Sequence, residues 1–325
     1  MSRFAVERMV PWMAAALLAA FWLLAVWPSS AKAENGDGLS YFFDQVLNDP
    51  LDKYDNVTSF NKTFRRDGWK RNVLYMKPVT PVVENPPLLV ILHFRGGNAK
   101  DMANLVQVGR LIRDHGAWAL LPDALSGNWR KNPAERTNID DVAFIDAAIA
   151  DALANYPVDP KRVYVMGFSD GAFMALRYAC DHSERLAAGF VVAGAMLKSL
   201  ADQCAPSNTL PFVFINGTSD MNVNYNGSVG VLSAPDTAMY WASLNACTAK
   251  GPAVAIPNLV SDGTTSSMET YSQCIGDKDV DFYTVNKGGH TWPGVNAKRP
   301  MLGRTSYDFS ATDAAWEFFG RFAQP

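Results

Sequence analysis

Val163-Tyr164-Val165-Met166-Gly167-Phe168-Ser169-Asp170-Gly171-Ala172 joins an apolar run, a serine set between two glycines, and the start of a helix-like stretch that continues to Cys180. Strand, tight turn and helix in immediate succession hold a serine hydroxyl clear of a sheet, where it can act as a nucleophile. The glycines have a physical role, because a residue on so sharp a turn takes a strained backbone conformation and leaves no room for side chains on either side. Two glycines and a serine at this spacing arise by chance in roughly one chain in ten of this size, so the flanking pattern carries the weight.

Outward from this segment the chain alternates strands and helices. Pro87 to Leu92 and Ala117 to Leu121 are short continuous apolar runs of the kind buried on both faces of a parallel sheet, and Val163 to Met166 is a third. Gly189 to Val192, Phe212 to Ile215 and Val280 to Val285 extend the set. Helical spacing is expected over Asn98–His115, Asp140–Tyr156, Asp236–Asn245 and Ala311–Phe322, and Asp140 and Asp141 favour a helix start at their position. Thr58 to Val79 has the mixed aromatic, β-branched and charged character of edge strands, punctuated by Gly68 and Pro78. The fold class is therefore α/β, a mostly parallel central sheet with helices on both faces, with chemistry at the carboxyl ends of its strands.

The 325 residues, 48% hydrophobic, suffice for one large core. Residues 1–33 read as a signal peptide: Arg3 and Arg8, an apolar stretch from Met9 to Trp27, then Ala31-Lys32-Ala33 as a cleavage site. An uncleaved anchor is the competing reading. Either way residues 34–325 form one exported domain. The whole chain carries a net charge of −3; the leader contributes +2 from Arg3, Arg8 and Lys32 against Glu7, which leaves −5 on the rest. That balance gives no reason to expect nucleic acid or, after cleavage, membrane as partner. In an exported chain the four cysteines, Cys180, Cys204, Cys247 and Cys274, favour disulfides over thiols, and their spacing fits no zinc pattern. Three connectivities are possible; the sequential one, Cys180 with Cys204 and Cys247 with Cys274, is favoured because each pair flanks a candidate catalytic segment. Asn-x-Ser/Thr sites stand at Asn56, Asn61, Asn216 and Asn226.

A serine hydroxyl needs a base, and the base needs a third group to hold its tautomer. Where such a turn delivers the serine, the chain order is serine, acid, histidine. Of the four histidines, His93 and His115 precede Ser169, and His182 follows too soon for an acid-bearing strand to intervene. His290 remains, in the glycine-rich Lys287-Gly288-Gly289-His290-Thr291-Trp292-Pro293-Gly294. Asp220 is the expected acid, on the loop after the strand that ends at Ile215. Asp236, Asp262, Glu269, Asp277, Asp279 and Asp281 read as caps or solvated charges. Oxyanion donors are expected from the backbone N–H groups of Asp170 and of Arg95, in His93-Phe94-Arg95-Gly96-Gly97. Trp292, Phe94 and Trp129 are candidate substrate-pocket walls. This chemistry requires neither cofactor nor metal.

These segments, with Val158-Asp159-Pro160-Lys161-Arg162-Val163-Tyr164 and Gly217-Thr218-Ser219-Asp220 followed by Tyr225, resemble the secreted esterases that include polyhydroxybutyrate depolymerases and feruloyl or acetylxylan esterases. The resemblance runs from about Pro87 to His290. It implies an α/β-hydrolase fold, the triad Ser169, Asp220 and His290, the sequential cysteine pairing, and an ester substrate such as a hydroxyalkanoate oligomer or a feruloylated or acetylated plant sugar. Two positions depart from the family pattern: Phe94 stands where glycine is usual, which is expected to narrow the site, and Asn216 stands where histidine is usual. A peptidase of the same fold and a non-catalytic binding protein are the alternatives.

Overall fold

The protein is described by a computed structural model covering residues 49–296 and 302–324. The expected signal segment lies outside those residues. Among the described residues eleven strands form one sheet in the order β1 (Val57–Arg66), β2 (Trp69–Pro78), β4 (Trp118–Pro122), β3 (Leu88–Leu92), β5 (Val163–Phe168), β6 (Ala188–Val192), β7 (Phe212–Gly217), β11 (Val280–Asn286), β10 (Thr265–Ser272) and β8 (Ala249–Lys250), with β9 (Val254–Ala255) pairing β10 off that path. The six central strands, β4, β3, β5, β6, β7 and β11, run parallel. Strand order reverses between β3 and β5, and in open α/β sheets that crevice is where ligands bind.

The period-2 rule sorts β3 between two cores. Leu88, Val90 and Leu92 face α3 (Asp141–Asn155), α4 (Asp170–Asp181) and α6 (Ala234–Leu244). Leu89 and Ile91 face α1 (Ala99–Leu105), α2 (Val108–His115) and α7 (Ala311–Phe319). Both faces of the strand are thereby withdrawn from water, which is why its sequence is a continuous apolar run rather than an alternation.

Two departures from the sequence expectation have local causes. The helix expected over Asn98–His115 is two helices, because Gln107 takes a left-handed conformation (φ 50°) and turns the chain so that Met102 and Ala103 on one side, and Leu111 and Ile112 on the other, all reach the core. Beyond α6 lies an unanticipated strand, β10 (Thr265–Ser272), antiparallel to β11; its Ser and Thr content conceals it. It carries β8 (Ala249–Lys250) and β9 (Val254–Ala255) at its outer edge. A four-residue helix, α5 (Lys198–Ala201), follows β6.

The edge-strand reading of residues 58–79 corresponds to a hairpin of β1 (Val57–Arg66) and β2 (Trp69–Pro78). Asp67 and Gly68 are both at positive φ, the two-residue turn whose twist matches a hairpin. Cys180 is bonded to Cys204 and Cys247 to Cys274, the sequential pairing. The first ties the end of α4 to the segment after α5, and the second ties the end of α6 to the end of β10. Spanning 24 and 27 residues, each is of the size that stabilises a fold by about 3 kcal/mol through the unfolded chain.

Candidate active site

Ser169 occupies the turn between β5 and α4 with φ 55° and ψ −119°, a conformation that strains any residue with a side chain. The backbone is held there by Ser169 N–H donating to Val192 O at 3.0 Å and by Ser169 O accepting from Ala172 N–H at 2.9 Å. Close approach of main chains makes the two glycines necessary. A Cβ on Gly171 would run into the carbonyls of Leu92, the last residue of β3, and of His93 just beyond it, and one on Gly167 would strike the backbone of Gly171 and Ala172. Gly171→Ala is therefore expected to lower stability by about 1–3 kcal/mol and, by lifting α4 off β3, to cut turnover roughly a hundred-fold. Thermal melts and kcat on one ester check both; a variant matching wild type in both would mean that the elbow is not tight.

His290 and Asp220 reach Ser169 from the ends of β11 and β7. Two laced loops fix them. Lys287 N–H donates to Thr218 Oγ1 at 2.8 Å and Ser219 N–H to Gly288 O at 2.8 Å. A Cβ on Gly217 would meet the carbonyls of Gly288 and Gly289. His290 N–H donates to Leu302 O at 2.6 Å. The outcome is a continuous chain: Ser169 Oγ lies 2.8 Å from His290 Nε2, and His290 Nδ1 lies 2.7 Å from Asp220 Oδ2. Asp220 Oδ1 accepts from the N–H groups of Asn222 (2.8 Å) and Val223 (2.9 Å), so the carboxylate can present only its other oxygen to the imidazole. His290 is fully buried, and Ser169 is 7% exposed. The Phe168 ring lies 5.0 Å from the imidazole ring. With the carboxylate accepting from Nδ1–H, Nε2 is left to accept from the serine hydroxyl.

The loop after β3 carries Arg95, whose Nη2 lies 3.9 Å from Oδ1 of Asp170, the residue after Ser169. His93, 1% exposed, braces that loop. Its Nε2 accepts from Ala124 N–H at 3.0 Å, which leaves Nδ1–H to donate to Phe94 O at 2.7 Å. Burial pushes His93 below the ordinary histidine range, against the opposing pull of the Phe94 carbonyl, Asp123, Asp170 and Asp141. The sign follows: the unfolded chain binds the proton more readily, so the stability from neutral His93 is present above about pH 6.5 and is lost as pH falls below that, at up to about 1.4 kcal/mol per pH unit. The stability gap between wild type and His93→Gln, read as urea midpoints, should narrow from pH 7.5 to pH 5. A gap that stays constant would contradict this.

The three aromatic residues expected to line a pocket do not present faces to solvent; each is 1–2% exposed. Trp129 donates from Nε1 to His93 O at 2.8 Å, and its ring lies 4.9 Å from that imidazole. Trp292 donates to Thr312 Oγ1 at 3.0 Å, and that hydroxyl in turn donates to Val106 O at 2.8 Å, pinning the His290 loop to α7 and the end of α1. Phe94 folds back beneath Gly97 and meets Phe168 edge-on at 6.0 Å, so it does not narrow the mouth as expected. Large apolar rings sit where they exclude most water, and sequence alone does not separate a core wall from a pocket wall. Asn216, 2% exposed and donating to Gly194 O at 3.0 Å, is closed to a glycan.

The Asp170 carboxylate is a feature the sequence did not disclose. It is buried, accepts from Trp129 N–H at 3.1 Å and from Lys131 Nζ, and lies 3.9 Å from Arg95 Nη2. Trp129 and Lys131 lie some 40 residues before it and Arg95 farther still, in loops of no regular pattern. Among the described residues, no cluster of three or more His, Cys, Asp or Glu side chains is placed to hold a metal ion.

A doubly covered parallel sheet with a strained serine turn after β5, at the switch point of strand order, defines an α/β-hydrolase fold. Within that class the chain is esterase-like by its relatives. It is 28% identical over 268 residues to NocK of Nocardia uniformis subsp. tsuyamanensis, a protein carrying an esterase name, covering 75% of this chain and 77% of that one. It is 31% identical over 219 residues to feruloyl esterase B of Piromyces equi, covering 63% of this chain but only 39% of that enzyme. Among solved structures, an acetyl xylan esterase from Aspergillus awamori superimposes with a TM-score of 0.56 at 16% identity, over 80% of this chain and 99% of its own. No family model matches the chain.

Proposed function

We propose that the protein is an exported serine carboxylic-ester hydrolase that works through an acyl-enzyme on Ser169. The observation that carries this is the hydrogen-bonded line from Ser169 Oγ through His290 to Asp220, at 2.8 and 2.7 Å. In this mechanism Ser169 Oγ attacks the ester carbonyl carbon and its proton passes to His290 Nε2. Asp220 stabilises the imidazolium that results. The carbonyl oxygen becomes an oxyanion, and the N–H groups of Asp170 and Arg95 donate to it. Collapse of the tetrahedral intermediate breaks the bond to the alcohol, which leaves with the proton from Nε2. Water then attacks the acyl-enzyme with His290 again as base, and the acid and the free serine hydroxyl are released.

For substrate we propose feruloyl or acetyl esters of plant polysaccharide, with hydroxyalkanoate oligomers as the competing class. The support is the relatives' names, feruloyl esterase and acetyl xylan esterase. Export is supported by the N-terminal apolar segment and by the two disulfides, which persist in oxidising compartments. A blocked site would favour a non-catalytic binder, but the Phe94 ring lies beneath Gly97 and gives no support to that alternative.

A panel of methyl ferulate, acetylxylan, p-nitrophenyl acetate, hydroxybutyrate oligomers and an anilide tests the reading on the purified protein. Turnover concentrated in the feruloyl or acetyl esters is the expected result. Preference for the oligomers would move the substrate class, and preference for the anilide would replace the esterase reading with a peptidase one.

A further inference from the structure

The Asp170 carboxylate stands one residue beyond the proposed nucleophile, 4% exposed, with a sign that is wrong for its place. The backbone N–H of the same residue is a proposed donor to a developing negative charge, and an uncompensated carboxylate beside it would repel that charge where water does not screen it. Cations from two other loops answer it. Lys131 Nζ donates to Oδ1, with its side chain only 18% exposed, and Arg95 Nη2 lies 3.9 Å from the same oxygen, 42% exposed and correspondingly screened. Oδ2 is occupied by Trp129 N–H. A second buried carboxylate, Asp141, has its own cation in Arg71 at 2.5 Å, and its other oxygen accepts Arg130 N–H at 2.6 Å. The principal compensation of Asp170 therefore falls to Lys131.

The segment that bears Lys131 is itself pinned on three sides. Gly127 O accepts from Gly96 N–H at 2.8 Å, Trp129 Nε1–H donates to His93 O, and Asn132 Oδ1 accepts from Ser199 Oγ at 2.9 Å. Lys131 is thus not a mobile surface cation that happens to meet an acid. It is delivered to Asp170 by a fixed strap, and that strap also holds the loop carrying Arg95.

We propose that Lys131 is a positioning residue of the active site: by neutralising the Asp170 carboxylate it keeps the oxyanion site free of negative charge and holds the Arg95 loop against the serine turn. This rests on the serine-esterase reading above. The test is a double-mutant cycle with p-nitrophenyl acetate. Lys131→Met should lower kcat roughly ten- to a hundred-fold with KM little changed. Its acidic limb of kcat/KM should move to higher pH by roughly half a unit or more, because a bare carboxylate favours the imidazolium. Adding Asp170→Asn to Lys131→Met removes the stranded charge, and most of the lost kcat should return. Asp170→Asn alone should move the acidic limb to lower pH, a check that stands even if Lys131→Met folds poorly.

Unchanged kcat in Lys131→Met would overturn the inference. A double variant as slow as Lys131→Met, or slower, would do so too, since a merely structural contact gives no rescue, and so would an unmoved pH limb in Asp170→Asn. Labelling of the wild type by a fluorophosphonate separates the levels: an unlabelled wild type overturns both readings, whereas normal labelling with an unaffected Lys131→Met overturns this one alone.

Discussion

Ser169→Ala is expected to reduce kcat for any ester the protein turns over by roughly 10^4- to 10^6-fold, while changing stability by no more than about 1 kcal/mol. The size of the first effect follows from covalent chemistry, because without Oγ no acyl-enzyme forms and only binding and the oxyanion donors remain to assist attack by water. The smallness of the second follows from the contacts. The Ser169 side chain makes no capping bond to α4, and its hydrogen bond to His290 is the one the alanine loses. The backbone at φ 55° is strained with either residue and is held by Val192 O and Ala172 N–H, neither of which the substitution touches. Residual turnover above about a tenth of wild type would mean that another group attacks the ester.

Asp220→Asn is the second large effect, roughly 10^4-fold in kcat near neutral pH. Its cause is orientation rather than charge alone. The N–H groups of Asn222 and Val223 both point at Oδ1, so an asparagine here must turn its carbonyl oxygen to them and its NH2 to His290. An NH2 facing Nδ1 demands an acceptor there. That puts the imidazole proton on Nε2, where it faces the serine hydroxyl and cannot take its proton. Steady-state kinetics alongside a urea melt checks this. A folded variant retaining a tenth or more of wild-type kcat would show that Asp220 does not set the tautomer.

How much of this was legible in the sequence depended on how completely each element is buried. Leu88–Leu92, Trp118–Pro122, Val163–Phe168 and Phe212–Gly217 are strands buried along their whole length, so their apolar runs announce them. β10 is partly buried and spells Thr-Ser-Ser-Met-Glu-Thr-Tyr-Ser, a composition that reads as loop until β11 supplies its partner. The break at Gln107 was hidden because nothing about glutamine signals a left-handed residue. The Asp67-Gly68 hairpin turn, by contrast, was present to be read as such.

The site divides in the same way. Ser169 and His290 follow from a local motif and from chain order, and Asp220 from its place just after a buried strand. The Asp170, Lys131 and Trp129 cluster joins the start of α4 to the loop after β4 and has no sequence periodicity to betray it. Nor does the composition of Trp129, Trp292 or Phe94 say which way a ring turns; the packing sends all three inward.

The nucleophilic role of Ser169 is tested most directly by the intact mass of the purified protein after exposure to a fluorophosphonate, followed by peptide mapping. One adduct per chain, on Ser169 and absent from Ser169→Ala, is the expected result. An unmodified wild type, or an adduct on any other residue, would contradict it.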